Sequence, residues 1–351
     1  MKLRVAIAVE PGPGVETLRE VVEEDPGREV AWTATGAAEA VTRCASESPD
    51  ILLLGLDAPG LDGIETTRRI MAASPTTILI VTTATSANAG RVFDAMASGA
   101  RDVVEAPRRA QGGGLEGAGL LRAKLALLAR LAAPAAGSPR LRGAGPSEAA
   151  PLLAPLVAVG ASTGGPGAVA SLLTALPVDL AAPVVVVQHV DEPFARGLAD
   201  WLAERAGRPV RLASAGDRPR PGDILVAGTA AHLVVSDDGS LAYTPEPRDC
   251  PYRPSVDAFF SSAARNWPTR GVGVLLTGMG RDGAEGLLRC RTAGWLTIAQ
   301  DERTSVLYGM PRAAREIGAA TQILPLPEIA PAVARRIRDD RGRSRDTGGK
   351  G

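Results

Sequence analysis

Short apolar runs recur along the chain, with helix-patterned stretches between them. Residues 3–9, 50–56 and 77–83 are almost wholly apolar and short, as buried strands are. Between them Val15, Leu18, Val21 and Val22 fall at helical spacing. Strands apolar on both faces, alternating with helices, predict an open, doubly wound parallel sheet for the first third of the chain. The pattern resumes after residue 152. Apolar strands at 156–159, 183–188 and 271–276 each lead into a turn and a helix-like stretch, and Asp237-Asp238-Gly239-Ser240 reads as a hairpin turn. A second α/β domain with a mostly parallel sheet is expected there.

The stretch between the two patterns differs in composition. Gln111-Gly112-Gly113-Gly114 is flexible, residues 118–131 form an amphipathic helix, and 132–151 are rich in Pro, Gly, Ala and Ser, as a tether is. The expected layout is therefore a first domain over 1–107, a linker over 108–151, a second domain over 152–337 and a disordered tail over 338–351. Packing of the linker helix on the first domain is at least as good a reading as a signalling role.

Composition narrows the function. At 351 residues the chain is too long for one ordinary core. Lys plus Arg and Asp plus Glu both number 39, so there is no basic footprint for nucleic acid. Cys44, Cys250 and Cys290 lack metal-type spacing and suit a reducing compartment. No apolar run reaches the roughly 18 residues of a membrane helix, and the N-terminal run is too short for a signal peptide. A cytoplasmic protein without membrane insertion is expected. With only His189 and His232 present, any imidazole chemistry must use one of them.

Ser162, His189 and Asp282 each follow an apolar strand. In an open parallel sheet the carboxyl ends of the strands share one edge, where ligands bind. One hydroxyl, one imidazole and one carboxylate at that edge are what a serine hydrolase needs: a nucleophile, a base that takes its proton, and an acid that orients the base. Ser162 lies in Gly160-Ala161-Ser162-Thr163-Gly164, a G-x-S-x-G turn. Each residue has a plainer reading. The glycine-rich turn could cradle a dinucleotide, His189 could be a packed histidine, and Asp282 could cap the helix beginning near Gly283. His232, at the start of a strand, reads as structural.

The first third resembles a response-regulator receiver domain. The resemblance rests on Glu23-Glu24-Asp25-Pro26-Gly27, Pro49-Asp50-Ile51-Leu52-Leu53-Leu54, Pro59-Gly60-Leu61-Asp62-Gly63 and Ser98-Gly99-Ala100-Arg101-Asp102. It implies a flavodoxin-like fold. Gly55 stands at the family's phosphoacceptor aspartate, Val9 and Glu10 at its paired acids, and Ala106 at its lysine, while Thr82 remains at the switch-hydroxyl position. The expectation is a pseudo-receiver. Asp57, two residues on, is an alternative acceptor but reads as a turn aspartate.

The second domain resembles the chemotaxis-type protein-glutamate methylesterases, which are also protein-glutamine glutaminases (the CheB family). The motifs are Val159-Gly160-Ala161-Ser162-Thr163-Gly164-Gly165-Pro166, Gln188-His189, Arg253-Pro254-Ser255-Val256-Asp257, Leu276-Thr277-Gly278-Met279-Gly280-Arg281-Asp282-Gly283-Ala284, Ala299-Gln300-Asp301-Glu302 and Tyr308-Gly309-Met310-Pro311. Gly228-Thr229-Ala230 departs from the family's usual Ala-Pro-Gly. The resemblance implies a nucleophile at Ser162, a base at His189 and an acid at Asp282. It implies oxyanion and substrate contacts at Thr163, Gly164 and Met279. It implies no cofactor and no metal, and as partners the cytoplasmic helices of methyl-accepting receptors, with a histidine kinase or other signalling protein as partner of the first domain. Two rivals remain. A short-chain dehydrogenase would want glycine at Pro166 and a Tyr-x-x-x-Lys pair, which Tyr243, Tyr252 and Tyr308 do not supply. A non-catalytic scaffold would leave the three polar residues without work.

Overall fold

The computed structural model describes residues 2–58, 60–83, 89–110, 114–131, 154–248, 250 and 252–347. The chain divides into two compact units, 1–143 and 144–351.

In the first unit β1 (Leu3–Ala8), β2 (Arg28–Ala34), β3 (Ile51–Gly55), β4 (Thr77–Thr82) and β5 (Asp102–Glu105) form a parallel sheet in the order β2-β1-β3-β4-β5. Helices α1 (Pro13–Glu23), α2 (Ala37–Ser46), α3 (Gly63–Ala73), α4 (Ala89–Ala97) and α5 (Ala118–Leu131) complete it. The apolar runs become strands because they are buried on both faces: Leu52, Leu53 and Leu54 are fully enclosed. At the carboxyl edge Gly55 ends β3, and a Cβ there would lie 3.4 Å from the Cα of buried Val9. Thr82 ends β4, and its carbonyl accepts the N–H of Ala106 at 2.8 Å. The side chain of Asp57 lies outside the described residues.

One boundary is corrected. Residues 108–110 and 114–131 are not a linker but part of the first unit. Ala118, Leu121 and Leu125 of α5 enter the same core as Val5, Leu18 and Leu79, and Lys124 reaches Asp102 at 2.7 Å. The apolar stripe of α5 is therefore covered by its own domain. Residues 132–153, the expected tether, lie outside the described residues.

In the second unit β6 (Val157–Ala161), β7 (Val184–Gln188), β8 (Arg211–Leu212), β9 (Ile224–Val226), β12 (Val272–Leu275), β13 (Leu296–Gln300) and β14 (Gln322–Leu324) form a seven-stranded parallel sheet, ordered β8-β9-β7-β6-β12-β13-β14. A hairpin of β10 (His232–Val235) and β11 (Leu241–Thr244) turns at the predicted Asp237–Ser240 segment. Helices α6 (Gly165–Ala175), α7 (Glu192–Ala206), α8 (Val256–Asn266), α9 (Ala284–Thr292), α10 (Met310–Glu316) and α11 (Leu326–Thr347) flank the sheet. The strand order reverses at β6, with β7 on one side and β12 on the other, which makes the carboxyl end of β6 the topological switch point. The tail expected to be disordered from 338 is instead helical to Thr347, continuing α11, whose Ile329, Val333 and Ile337 are buried. Among the described residues no helix is long and apolar enough to cross a membrane.

Candidate active site

Register places the three candidate residues. β6 and β7 pair with Ala161 opposite Gln188, so Ser162 and His189 are the next residues on adjacent strands. On the other side β12 runs parallel to β6, and the Thr277 carbonyl accepts the Ser162 N–H at 3.1 Å. The Ser162 carbonyl accepts Gln188 Nε2 at 2.8 Å and the Gly165 N–H at 2.7 Å. The serine backbone is thus pinned from three directions without using its hydroxyl. Helix α6 begins three residues later, with Pro166 in its first turn, and turns the positive end of its dipole towards Ser162.

His189 Nε2 lies 2.7 Å from Asp282 Oδ2. Asp282 is nearly fully enclosed and accepts from four donors: His189 and the Val256 N–H (2.7 Å) on Oδ2, and Ser255 Oγ (2.9 Å) and the Asp257 N–H (3.0 Å) on Oδ1. Burial acts to raise its carboxyl, but the hydrogen bonds from His189, Asp257 and Val256 outweigh it and hold Asp282 below the usual carboxylate range. An ionised Asp282 requires Nε2 of His189 to carry the proton, which makes Nδ1 the acceptor of the neutral ring. Nδ1 is buried and has no hydrogen-bond partner among the described residues. The nitrogen not engaged by Asp282 is Nδ1, and no hydrogen bond joins it to Ser162 among the described residues.

Asp282 also caps a helix, but not the expected one. The N-cap of α9 is Gly283, with no side-chain cap. Asp282 instead sits on the N-terminus of α8, taking the N–H groups of Val256 and Asp257, while Ser255 caps the same helix through Ala258. The helix dipole thus helps keep the carboxylate charged.

The expected oxyanion residues lie around Ser162. Thr163 is buried, and its carbonyl is 3.0 Å from Thr277 Oγ1. Gly164 is the left-handed N-cap of α6 (φ 73°), and a Cβ there would lie 2.5 Å from Val306 Cβ. Met279 follows Gly278, whose Cβ position is 2.8 Å from Ser162 Cβ and 2.2 Å from Met310 Sδ, so only glycine brings this turn against the serine.

Several residues here had no assigned role in the sequence. Gln300 accepts the Thr277 N–H at 2.8 Å and donates to the Thr304 carbonyl at 2.7 Å, tying the 301–309 loop to the site. His232 is fully buried: its Nδ1 accepts the Ser255 N–H (3.0 Å) and its Nε2 faces the Pro247 carbonyl (3.1 Å), a satisfied structural histidine as expected. Asp257 accepts the Gly286 N–H through Oδ1 at 2.6 Å. Serine and aspartate two apart at a helix start was the available signal for Ser255 and Asp257.

Burial, and next the charge of Asp282, raise the Asp257 carboxyl to about 7. An acid held protonated by the fold favours the folded state most below its unfolded value near 4, and loses that advantage as pH rises towards 7. Asparagine keeps the Oδ1 acceptor for Gly286 and cannot ionise. Asp257→Asn is expected to melt above the parent at both pH 5 and pH 8.5, by about 5–10 °C more at pH 8.5 than at pH 5, measured by calorimetry at both pH values.

A two-domain response regulator with a parallel-sheet effector domain is the class this architecture defines. Residues 13–111 match the response regulator receiver domain family, and residues 157–333 match the CheB methylesterase family. A protein-glutamate methylesterase/protein-glutamine glutaminase 2 of Burkholderia orbicola is 52% identical over 321 residues, covering 91% of this chain and 95% of that protein. A protein of the same name from Cupriavidus metallidurans is 48% identical over 330 residues, 94% of this chain and 97% of that one. The crystal structure of the Thermotoga maritima CheB methylesterase catalytic domain, 32% identical, superposes with a TM-score of 0.50 over 52% of this chain and 99% of that domain. The chain belongs to the family of protein-glutamate methylesterases/protein-glutamine glutaminases.

Proposed function

We propose that the chain hydrolyses γ-glutamyl methyl esters on the cytoplasmic helices of methyl-accepting receptors, and deamidates glutamines there, through Ser162, His189 and Asp282. The observation that carries this reading is the orientation of His189: Nε2 is committed to Asp282 and Nδ1 is turned from it, at the strand end beside Ser162. Nδ1 takes the hydroxyl proton as Ser162 Oγ attacks the ester carbonyl. Thr163, Gly164 and Met279 line the place where the oxyanion forms, and one well-placed donor there is worth about 3–4 kcal/mol of barrier. The proton then passes from His189 to the leaving methoxide, and methanol departs. Water, deprotonated by the same nitrogen, attacks the γ-glutamyl ester of Ser162 and releases the carboxylate. With glutamine the leaving group is ammonia. The site is tested by treating the full chain with a serine-directed phosphonylating reagent while following methanol release from methylated receptor. Loss of release together with modification of the peptide bearing Ser162 is expected, and modification elsewhere with full loss overturns the assignment.

The same reading makes the first domain a pseudo-receiver that acts by contact. Gly55 has no carboxylate, Val9 replaces an acid with an isopropyl group, and Ala106 has no ammonium. Acetyl phosphate is accordingly expected to leave methanol release within about twofold, since phosphoryl transfer needs an acceptor and charge neutralisation, and borohydride is expected to trap no aspartyl adduct. A trapped adduct, at Asp57 or elsewhere in the domain, overturns this.

A further inference from the structure

The imidazole of His189 is fixed by less than its role requires. Its one side-chain hydrogen bond runs from Nε2 to Asp282, and Nδ1 has no hydrogen-bond partner among the described residues. Nε2 lies nearer than Nδ1 to the extension of the Cβ–Cγ axis. Rotation about that axis therefore swings Nδ1 through a wider arc than Nε2. The bond to Asp282 locates the ring but only loosely aims the nitrogen that must meet the serine.

The ring of Tyr252 supplies the missing constraint. It stacks on the imidazole with centroids 4.5 Å apart and planes 5° from parallel. Any twist of His189 would drive one edge of the imidazole into this ring. Tyr252 is itself wedged, since a Cβ on Gly280 would lie 2.7 Å from its hydroxyl oxygen, so the phenol abuts the turn that carries Met279 and Asp282. Burial, then the charge of Asp282, raise the phenol above its ordinary range, so it remains neutral. Three residues on, Ser255 donates to Asp282 Oδ1. One short segment thus braces both the acid and the base.

We propose that Tyr252 is a positioning residue for His189: its ring fixes the imidazole plane in which Nδ1 must be presented to Ser162 during the reaction, and its π face lies against the imidazolium formed as the serine proton is taken. This rests on the assignment of His189 as the base. An aromatic face attracts a cation in a dry site, and that attraction grows as the transition state is reached, so it acts on kcat and not on substrate binding.

The test uses the full chain with methylated receptor and three variants: Tyr252→Leu, which keeps the bulk, and Tyr252→Phe and Tyr252→Trp, which keep the π face. Leucine is expected to lower kcat about 5- to 30-fold with KM within about twofold. Phenylalanine and tryptophan are expected to stay within about threefold of the parent. Parent-like kcat in the leucine variant overturns the proposal, as does a loss in phenylalanine equal to that in leucine, which would assign the effect to the hydroxyl. If leucine lowers the melting temperature substantially, the aromatic pair decides: a tenfold loss in both overturns the proposal, and near-parent turnover in both supports it. The reading of the site on which it rests fails separately, by Ser162→Ala retaining turnover. Turnover that needs Ser162 but ignores Tyr252→Leu sinks only the positioning role.

Discussion

Ser162→Ala is expected to reduce methanol release from methylated receptor about 10⁴- to 10⁶-fold, the range in which removal of an activated serine leaves only binding and oxyanion stabilisation. The melting temperature is expected to hold within about 2 °C. Ser162 contributes to the fold through its backbone: the N–H bonds Thr277, and the carbonyl takes Gln188 and Gly165. Alanine keeps all three, so lost turnover cannot be ascribed to a collapsed strand end. Unchanged turnover would remove Ser162 as the nucleophile. Loss of turnover with a large fall in melting temperature would mean that the hydroxyl does structural work absent from these contacts.

Much of this site is legible in the order of residue types along the chain. Strands buried on both faces read as unbroken apolar runs, and their carboxyl ends share one edge, so Ser162, His189 and Asp282 can be brought together before any contact is known. The receiver-like sheet is legible for the same reason. Its boundary is not, because an amphipathic helix such as α5 has the same pattern whether it covers its own domain or a partner; only the burial of Leu121 and Leu125 decides. The length of α11 is missed because residues after 338 are polar, and polarity does not forbid a helix continued from a buried turn. The bracing residues are missed for a different reason. Ser255, Asp257 and Thr277 act through hydrogen bonds that include partners 23–27 residues away, and Tyr252 through a stack across the fold. None of these leaves a periodic trace. The alternative reading of Asp282 as a helix cap is also instructive. Capping α8 and bonding His189 are one arrangement, because the N–H groups that cap α8 are those that keep the carboxylate charged.

That dual use sets the second large expectation. Asp282→Asn is expected to lower kcat about 10³- to 10⁴-fold and, unlike the serine change, to lower the melting temperature, by about 5–10 °C. The carboxylate meets four donors with two oxygens. An amide has one oxygen, so its NH₂ must face two of those donors. If the amide nitrogen faces His189, Nε2 must become the acceptor, the ring proton moves to Nδ1, and Nδ1 then presents a proton to Ser162 in place of a lone pair. If it faces Ser255 and the Asp257 N–H, the base keeps its tautomer but loses the charge that stabilises the imidazolium, and the start of α8 loses its anion. Either way catalysis and stability fall together. Asp257 supplies a check that separates charge from shape. Its carboxyl is raised to about 7 by burial first and the Asp282 charge next. Removing that charge lets Asp257 ionise more readily, so the gain from Asp257→Asn at pH 8.5 is expected to shrink in the Asp282→Asn background. Calorimetry of the parent, both single variants and the double variant reads this coupling directly. Strict additivity would show that the two carboxyls do not sense one another, and would remove the electrostatic part of the account of how Asp282 is held ready.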